Sequence, residues 1–123
     1  MKIKLFRILK ARKILSELGE RKDFDGLTSL QISRNIDKIE PEGIKFDKAN
    51  NDLIIKLGEK KEVEIEGKKE EGYQVPPAKM DEYFKQLNEM TEIEIELDIL
   101  LLDPARISGF SPMELLAIEW LFK

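Results

Sequence analysis

The chain has 123 residues, 41% of them hydrophobic and 37% charged, with a net charge of −4, no cysteine and no histidine. The missing cysteines exclude disulfides and thiolate metal centres, and the missing histidines remove the commonest general base, metal ligand and near-neutral pH switch. The apolar fraction suffices for a core, which excludes compositional disorder, and the length fits one domain, residues 1–123.

The charge is unevenly spread. Residues 1–22 carry a balance of +6 and the remainder a balance of −10. Arg7, Lys10, Arg12 and Lys13 interrupt the basic, apolar start, so no signal-peptide core forms there. No apolar run reaches the ~20 residues that span a bilayer. A cytoplasmic location and no membrane contact are therefore expected.

In chain order, Leu5, Ile8, Ala11, Leu15 and Leu18 recur at helical steps and predict an N-terminal helix that stops at Gly19. Lys2-Ile3-Lys4-Leu5 alternates, so a short strand leading into that helix is equally consistent. Thr28-Ser29-Leu30-Gln31 matches a capping box and predicts a second helix from about residue 28. Pro41 should end it. Yet Ile32, Ile36, Ile39, Gly43, Phe46, Asn50, Leu53 and Leu57 continue in alternate steps of four and three. Two readings stay open: one long helix kinked at Pro41, reaching about residue 58, or two short strands within residues 43–57.

Residues 62–66 alternate strictly and, with residues 73–75, predict a hairpin around a charged, mobile loop from Gly67 to Gly72. Met80, Tyr83, Phe84, Leu87 and Met90 predict a helix over 77–91, with Pro77 in its first turn. Residues 92–99 alternate acid with aliphatic and form the plainest strand in the sequence. Ser111, Pro112 and Glu114 then supply an N-cap, a first-turn proline and a capping-box partner for a final helix over 112–122. Its Leu115, Leu116, Ile118, Trp120, Leu121 and Phe122 are expected to dock. The sum is an α+β fold in which helices pack with a small antiparallel sheet.

Chemistry is sparsely represented. No Ser-x-x-Lys spacing, clustered glycine loop or Gly-Lys-Ser/Thr occurs, so no catalytic, cofactor-binding or metal-binding residues are assigned, and no cofactor. An enzyme is not expected. The basic first helix has only Phe6 among its cations as a stacking aromatic, which argues against nucleic acid as a partner.

The acidic strands carry the sharpest functional expectation. Glu62, Glu64, Glu66, Glu92, Glu94 and Glu96 sit at alternate strand positions and are the candidate residues for binding a protein partner. If residues 92–98 pair with residues 62–66, like charges face each other at roughly 5 Å, which is destabilising. Such a face needs lysines such as Lys60, Lys61, Lys68 and Lys69, separation in the sheet, or a basic partner. A regular carboxylate ladder also imitates a phosphate backbone and suits inhibition of a nucleic-acid-handling protein.

Several runs in the second half carry a resemblance: Tyr73-Gln74-Val75-Pro76-Pro77; Met80, Tyr83-Phe84 and Leu87-Asn88-Glu89-Met90; Ile93-Glu94-Ile95; and the stretch from Ser111 to Glu119. Over about residues 45–122 the pattern resembles a small phage and prophage protein family of unknown function from low-GC Gram-positive bacteria. The resemblance implies a long helix, a Gly-containing loop, a Val-Pro-like step, a helix, an acidic-apolar strand and a final helix, and Pro41 departs from its uninterrupted long helix. It also implies a viral or prophage origin and supplies no activity; the function expected with it is that of a phage-derived accessory protein that binds a host or phage protein in the host cytoplasm. The alternative is an oligomeric structural or assembly component of a phage particle.

Overall fold

Leu5, Ile8, Ala11, Leu15 and Leu18 share one helix face, and all five are buried along α1, Leu5–Gly19. The computed structural model describes residues 1–123, with every side chain except those at positions 63 and 65. Two compact units lie within it, one of residues 1–44 with 92–123 and one of residues 45–91.

In the first unit the ambiguous start is a strand: β1, Lys2–Lys4, leads directly into α1. The second helix, α2, Gly26–Leu57, begins earlier than Thr28. Asp25 is its cap, its Oδ1 accepting the Thr28 N–H at 2.8 Å. Thr28 itself is buried, so the expected capping threonine serves as a core position instead.

Helix α2 continues through Pro41, and no strand forms within residues 43–57. Proline removes the donor to the Asp37 carbonyl, but both residues are exposed, where solvent can satisfy that oxygen. The seam at steps of four and three meets different neighbours along its length. Near its start, Ile36 closes on Gly19, where a Cβ would lie 3.0 Å from Ile36 Cδ1. Further along, Arg12 of α1 lies where a Cβ on Gly43 would be. That guanidinium reaches Glu40 with two hydrogen bonds, 3.0 Å from Nε and 2.6 Å from Nη2.

Asn35 is wholly buried on the same helix. Its Nδ2 donates to the Leu100 carbonyl and its Oδ1 accepts from the Leu100 N–H, both at 2.8 Å. This clamp explains why the acidic strand is shorter than the alternation over 92–99 predicts. The strand β4 spans only Glu94–Glu96. Beyond it Leu97 enters the core and Leu100 is held by the helix.

At the C-terminal end the Ser111 capping box forms as expected, with Glu114 N–H on Ser111 Oγ at 3.2 Å and Ser111 N–H on Glu114 Oε1 at 2.9 Å. It opens α4, Pro112–Ile118, followed by a 3₁₀ turn, Glu119–Leu121. Only part of the expected apolar set docks. Ile118, Trp120 and Leu121 are buried, whereas Leu115 is 44% and Leu116 62% exposed. Two helical turns present only one face to α1, and the 3₁₀ turn then redirects the chain inward. Its end is fixed by Leu102 N–H to Leu121 O at 2.7 Å and Lys123 N–H to Leu102 O at 3.0 Å.

In the second unit, β2, Glu59–Ile65, and β3, Lys68–Gln74, form an antiparallel hairpin. The predicted loop from Gly67 to Gly72 is instead a two-residue turn. Glu66 and Gly67 both have positive φ, 52° and 77°, as tight hairpin turns of right-handed strands require. Lys68 to Glu71 therefore belong to the second strand. After a 3₁₀ turn at Pro77–Lys79 comes α3, Met80–Thr91, whose Tyr83 hydroxyl donates to Asn50 Oδ1 of α2 at 2.7 Å. The class is α+β, but its strands form two separate two-stranded sheets, β1 with β4 and β2 with β3.

Replacing Asn35 by leucine removes both side-chain partners of the Leu100 N–H and C=O. The expected loss is about 2–3 kcal/mol, read by urea unfolding with an unchanged m value. Gly43→Ala would ordinarily stabilise a helix interior by up to about 1 kcal/mol. Here it is expected to destabilise, because the Cβ displaces Arg12.

Candidate interaction surface

The strand β4 pairs antiparallel with β1, not with the hairpin, in the register Lys2 opposite Glu96, Ile3 opposite Ile95 and Lys4 opposite Glu94. Every opposite charge pair across this ladder is attractive. Lys4 Nζ also reaches Glu92 at 2.8 Å, and the Met1 ammonium reaches Glu96 at 2.7 Å. Between these two paired carboxylates, Glu94 makes no hydrogen bond or ion pair of its own among the described residues. The basic N-terminal segment thus answers much of the acidic strand.

The direction of the main-chain bonds determines which edge remains open. Leu5 N–H bonds Ile93 O at 2.9 Å, Leu97 N–H bonds Met1 O at 2.9 Å, and the Met1 ammonium bonds Leu97 O at 3.2 Å. In an antiparallel ladder alternate residues point to opposite edges, so 93, 95 and 97 face β1. The N–H and C=O groups of Glu94 and Glu96 point the other way. Among the described residues no second strand flanks β4, and both residues are exposed. The face below the carboxylates grades from buried Leu97 through half-buried Ile95 to Ile93, which is 51% exposed.

The other three candidate glutamates lie in the other unit. Glu62 stands opposite Glu71, Glu64 opposite Lys69, and Glu66 occupies the turn. Lys60 bonds Glu71 at 2.9 Å, which relieves the like-charge pair. The six residues therefore do not line one sheet, and the hairpin face is mixed in sign. Lys60 acts as a counter-cation on the hairpin, as the sequence suggests, while the cations that face residues 92–96 are Lys2 and Lys4, outside the lysines expected for that role. The Lys2-Ile3-Lys4 alternation was the available signal, but alternation specifies no pairing partner.

A second surface is apolar. Met113, Leu115 and Leu116 of α4 are 76%, 44% and 62% exposed. On α1, Phe6 is covered by Lys10, whose Nζ lies 5.6 Å from the ring centroid. Among the described residues no three carboxylates gather closely enough to hold a metal ion, and no helix is long and apolar enough to cross a membrane.

Several carboxylates are held below their ordinary pKa. For Glu96 the cause is the hydrogen bond from the N-terminal ammonium and then its charge. For Asp25 it is the Thr28 N–H, for Glu114 the Ser111 N–H, and for Asp23 the Arg21 guanidinium. Lys4 is raised by its hydrogen bond to Glu92 and then by that carboxylate's charge. Comparison of the chain with protein-family models, with curated proteins and with solved structures finds no match.

The pH dependence follows from these directions. Depressed carboxylates contribute stability that is present above their unfolded values, 3.8 for Asp and 4.5 for Glu, and lost as pH falls through the lower folded values. The raised Lys4 contributes stability present below 10.5 and lost as pH rises through its folded value. Denaturant midpoints measured across pH are expected to fall on the acid side from about pH 4.5. Glu96→Gln is expected to make that acid decline shallower.

Proposed function

We propose that the chain is a protein-binding accessory module whose working surface is the acidic strand β4. The observation that carries this reading is the open edge of β4. Two exposed residues, Glu94 and Glu96, direct main-chain groups outward, and among the described residues the Glu94 carboxylate, with Lys4 across the ladder, makes no hydrogen bond or close ion pair of its own. An exposed edge with free N–H and C=O groups is a ready template for another chain.

The resemblance of residues 45–122 to a phage family supplies the setting we propose. It is an accessory protein acting in the cytoplasm of an infected host, where binding blocks a protein that handles nucleic acid. The mixed charge of the hairpin gives Glu62, Glu64 and Glu66 no comparable part in it.

A second reading, an oligomeric assembly component, is favoured by the exposed Met113, Leu115 and Leu116. Light scattering coupled to gel filtration separates the two. A monomer or dimer is expected for the binding module, and a larger oligomer that Leu116→Glu dissociates would favour assembly. Photo-crosslinking from a probe at position 93 in host lysate, with and without Glu94→Lys, tests the binding surface. Crosslinks lost in the variant are expected, and an unchanged crosslink pattern would rule β4 out as the working surface.

A further inference from the structure

We infer that the open edge of β4 takes a basic strand in which lysine or arginine alternates with aliphatic residues. This rests on the protein-binding reading above and names the chemistry of its partner.

The chain itself contains a strand of that kind on the opposite edge. In β1, Lys2 and Lys4 stand across from Glu96 and Glu94, and Ile3 stands across from Ile95. The charged side chains project to one face, where Lys4 meets Glu92 at 2.8 Å. The aliphatic side chain projects to the other, where Ile3 is 6% exposed. A Lys-aliphatic-Lys strand is therefore the sequence pattern that satisfies one edge of β4.

The second edge offers the same ingredients. Glu94 and Glu96 direct their N–H and C=O groups to it, enough to anchor an added strand through main-chain bonds. The Glu94 carboxylate has Lys4 across the ladder but makes no hydrogen bond or close ion pair among the described residues, and Glu92 and Glu96 are half or more exposed despite their ion pairs, with side chains 57% and 67% accessible. Below them Ile93, 51% exposed, and the half-buried Ile95 await an aliphatic neighbour of the kind Ile3 provides for Ile95 on the other edge.

Charge excludes the simplest competitor. A second copy adding its own β4 in two-fold antiparallel register would set Glu94 opposite Glu96 at both positions. Like charges roughly 5 Å apart across a strand pair are destabilising. A nucleic acid strand is excluded on the same sign, since the edge is bordered by three carboxylates.

The test uses the full chain and a fluorescein-labelled, end-capped peptide, Lys-Ile-Lys-Ile-Lys, followed by fluorescence anisotropy. Saturable binding that weakens with added salt is expected, with amide shifts at Glu94 and Glu96 in the NMR spectrum. A peptide of identical composition with its lysines grouped is expected to bind about tenfold more weakly, as is Glu94→Lys toward the alternating peptide, because an attractive cross-strand pair becomes repulsive. Glu94→Gln removes only the charge and keeps the comparison usable if the lysine variant unfolds. Equal affinity for the alternating and grouped peptides, or affinity unchanged in both variants, would overturn the proposal. So would the absence of binding while crosslinks in lysate still depend on Glu94, and that result would leave the protein-binding reading intact. Absence of both would overturn the two together.

Discussion

The Asn35 side chain holds the first unit together at its centre. A carboxamide presents one donor and one acceptor at the spacing of a peptide group, and here both go to a single residue, Leu100. The segment that leaves β4 is thereby fixed to the middle of α2 as though the helix supplied one rung of a ladder. On its inner side the clamp is flanked by buried aliphatic residues, Ile32 and Ile39 on α2, Leu97 before it and Leu102 after it, while Arg34, Asp37, Lys38 and Asp98 border it toward solvent. In such surroundings an unpaired amide is costly, so the polar residue sets the position of the chain more sharply than aliphatic packing alone. The register of β1 on β4 depends on where that segment is anchored.

Helix α2 serves the two units with one repeating seam. Its steps of four and three resemble a coiled-coil stripe. Gly43 leaves room for Arg12, and the resulting Arg12–Glu40 pair ties α1 to this helix by two directed bonds. In the other unit Asn50 takes the same kind of seam position and meets the hydroxyl of Tyr83. Polar or small residues at seam positions thus choose the neighbour, while the aliphatic ones supply burial.

The acidic strand illustrates how pairing alters the meaning of a charge pattern. Read along the sequence, Glu92, Glu94 and Glu96 form an unbroken ladder. In the fold, two of these carboxylates are engaged by Lys4 and the N-terminal ammonium, leaving Glu94 and one open edge as the distinctive part. On the hairpin the corresponding ladder is broken by Lys69, which faces Glu64, and by Lys60 of the same strand, which pairs with the Glu71 opposite Glu62. Surface pairs of this kind contribute little stability each, so their main effect lies in which strands can meet.

The sequence by itself determined what depends on neighbours close along the chain. It determined the buried stripe of α1, the Ser111 capping box, the hairpin and the alternating acid strand, because helical and strand periodicities and caps act within a few residues. It also carried the long seam of α2, although local rules for Pro41 argued for a break; the exposure of Asp37 and Pro41 resolved that conflict, and exposure is a tertiary property. Tertiary structure alone decided that β4 pairs with β1 and that Asn35 grips Leu100. It also left Leu116 in solvent, although its hydrophobicity argued for burial. Each of these joins or separates residues distant in sequence, and periodicity says which face is apolar without saying what will cover it.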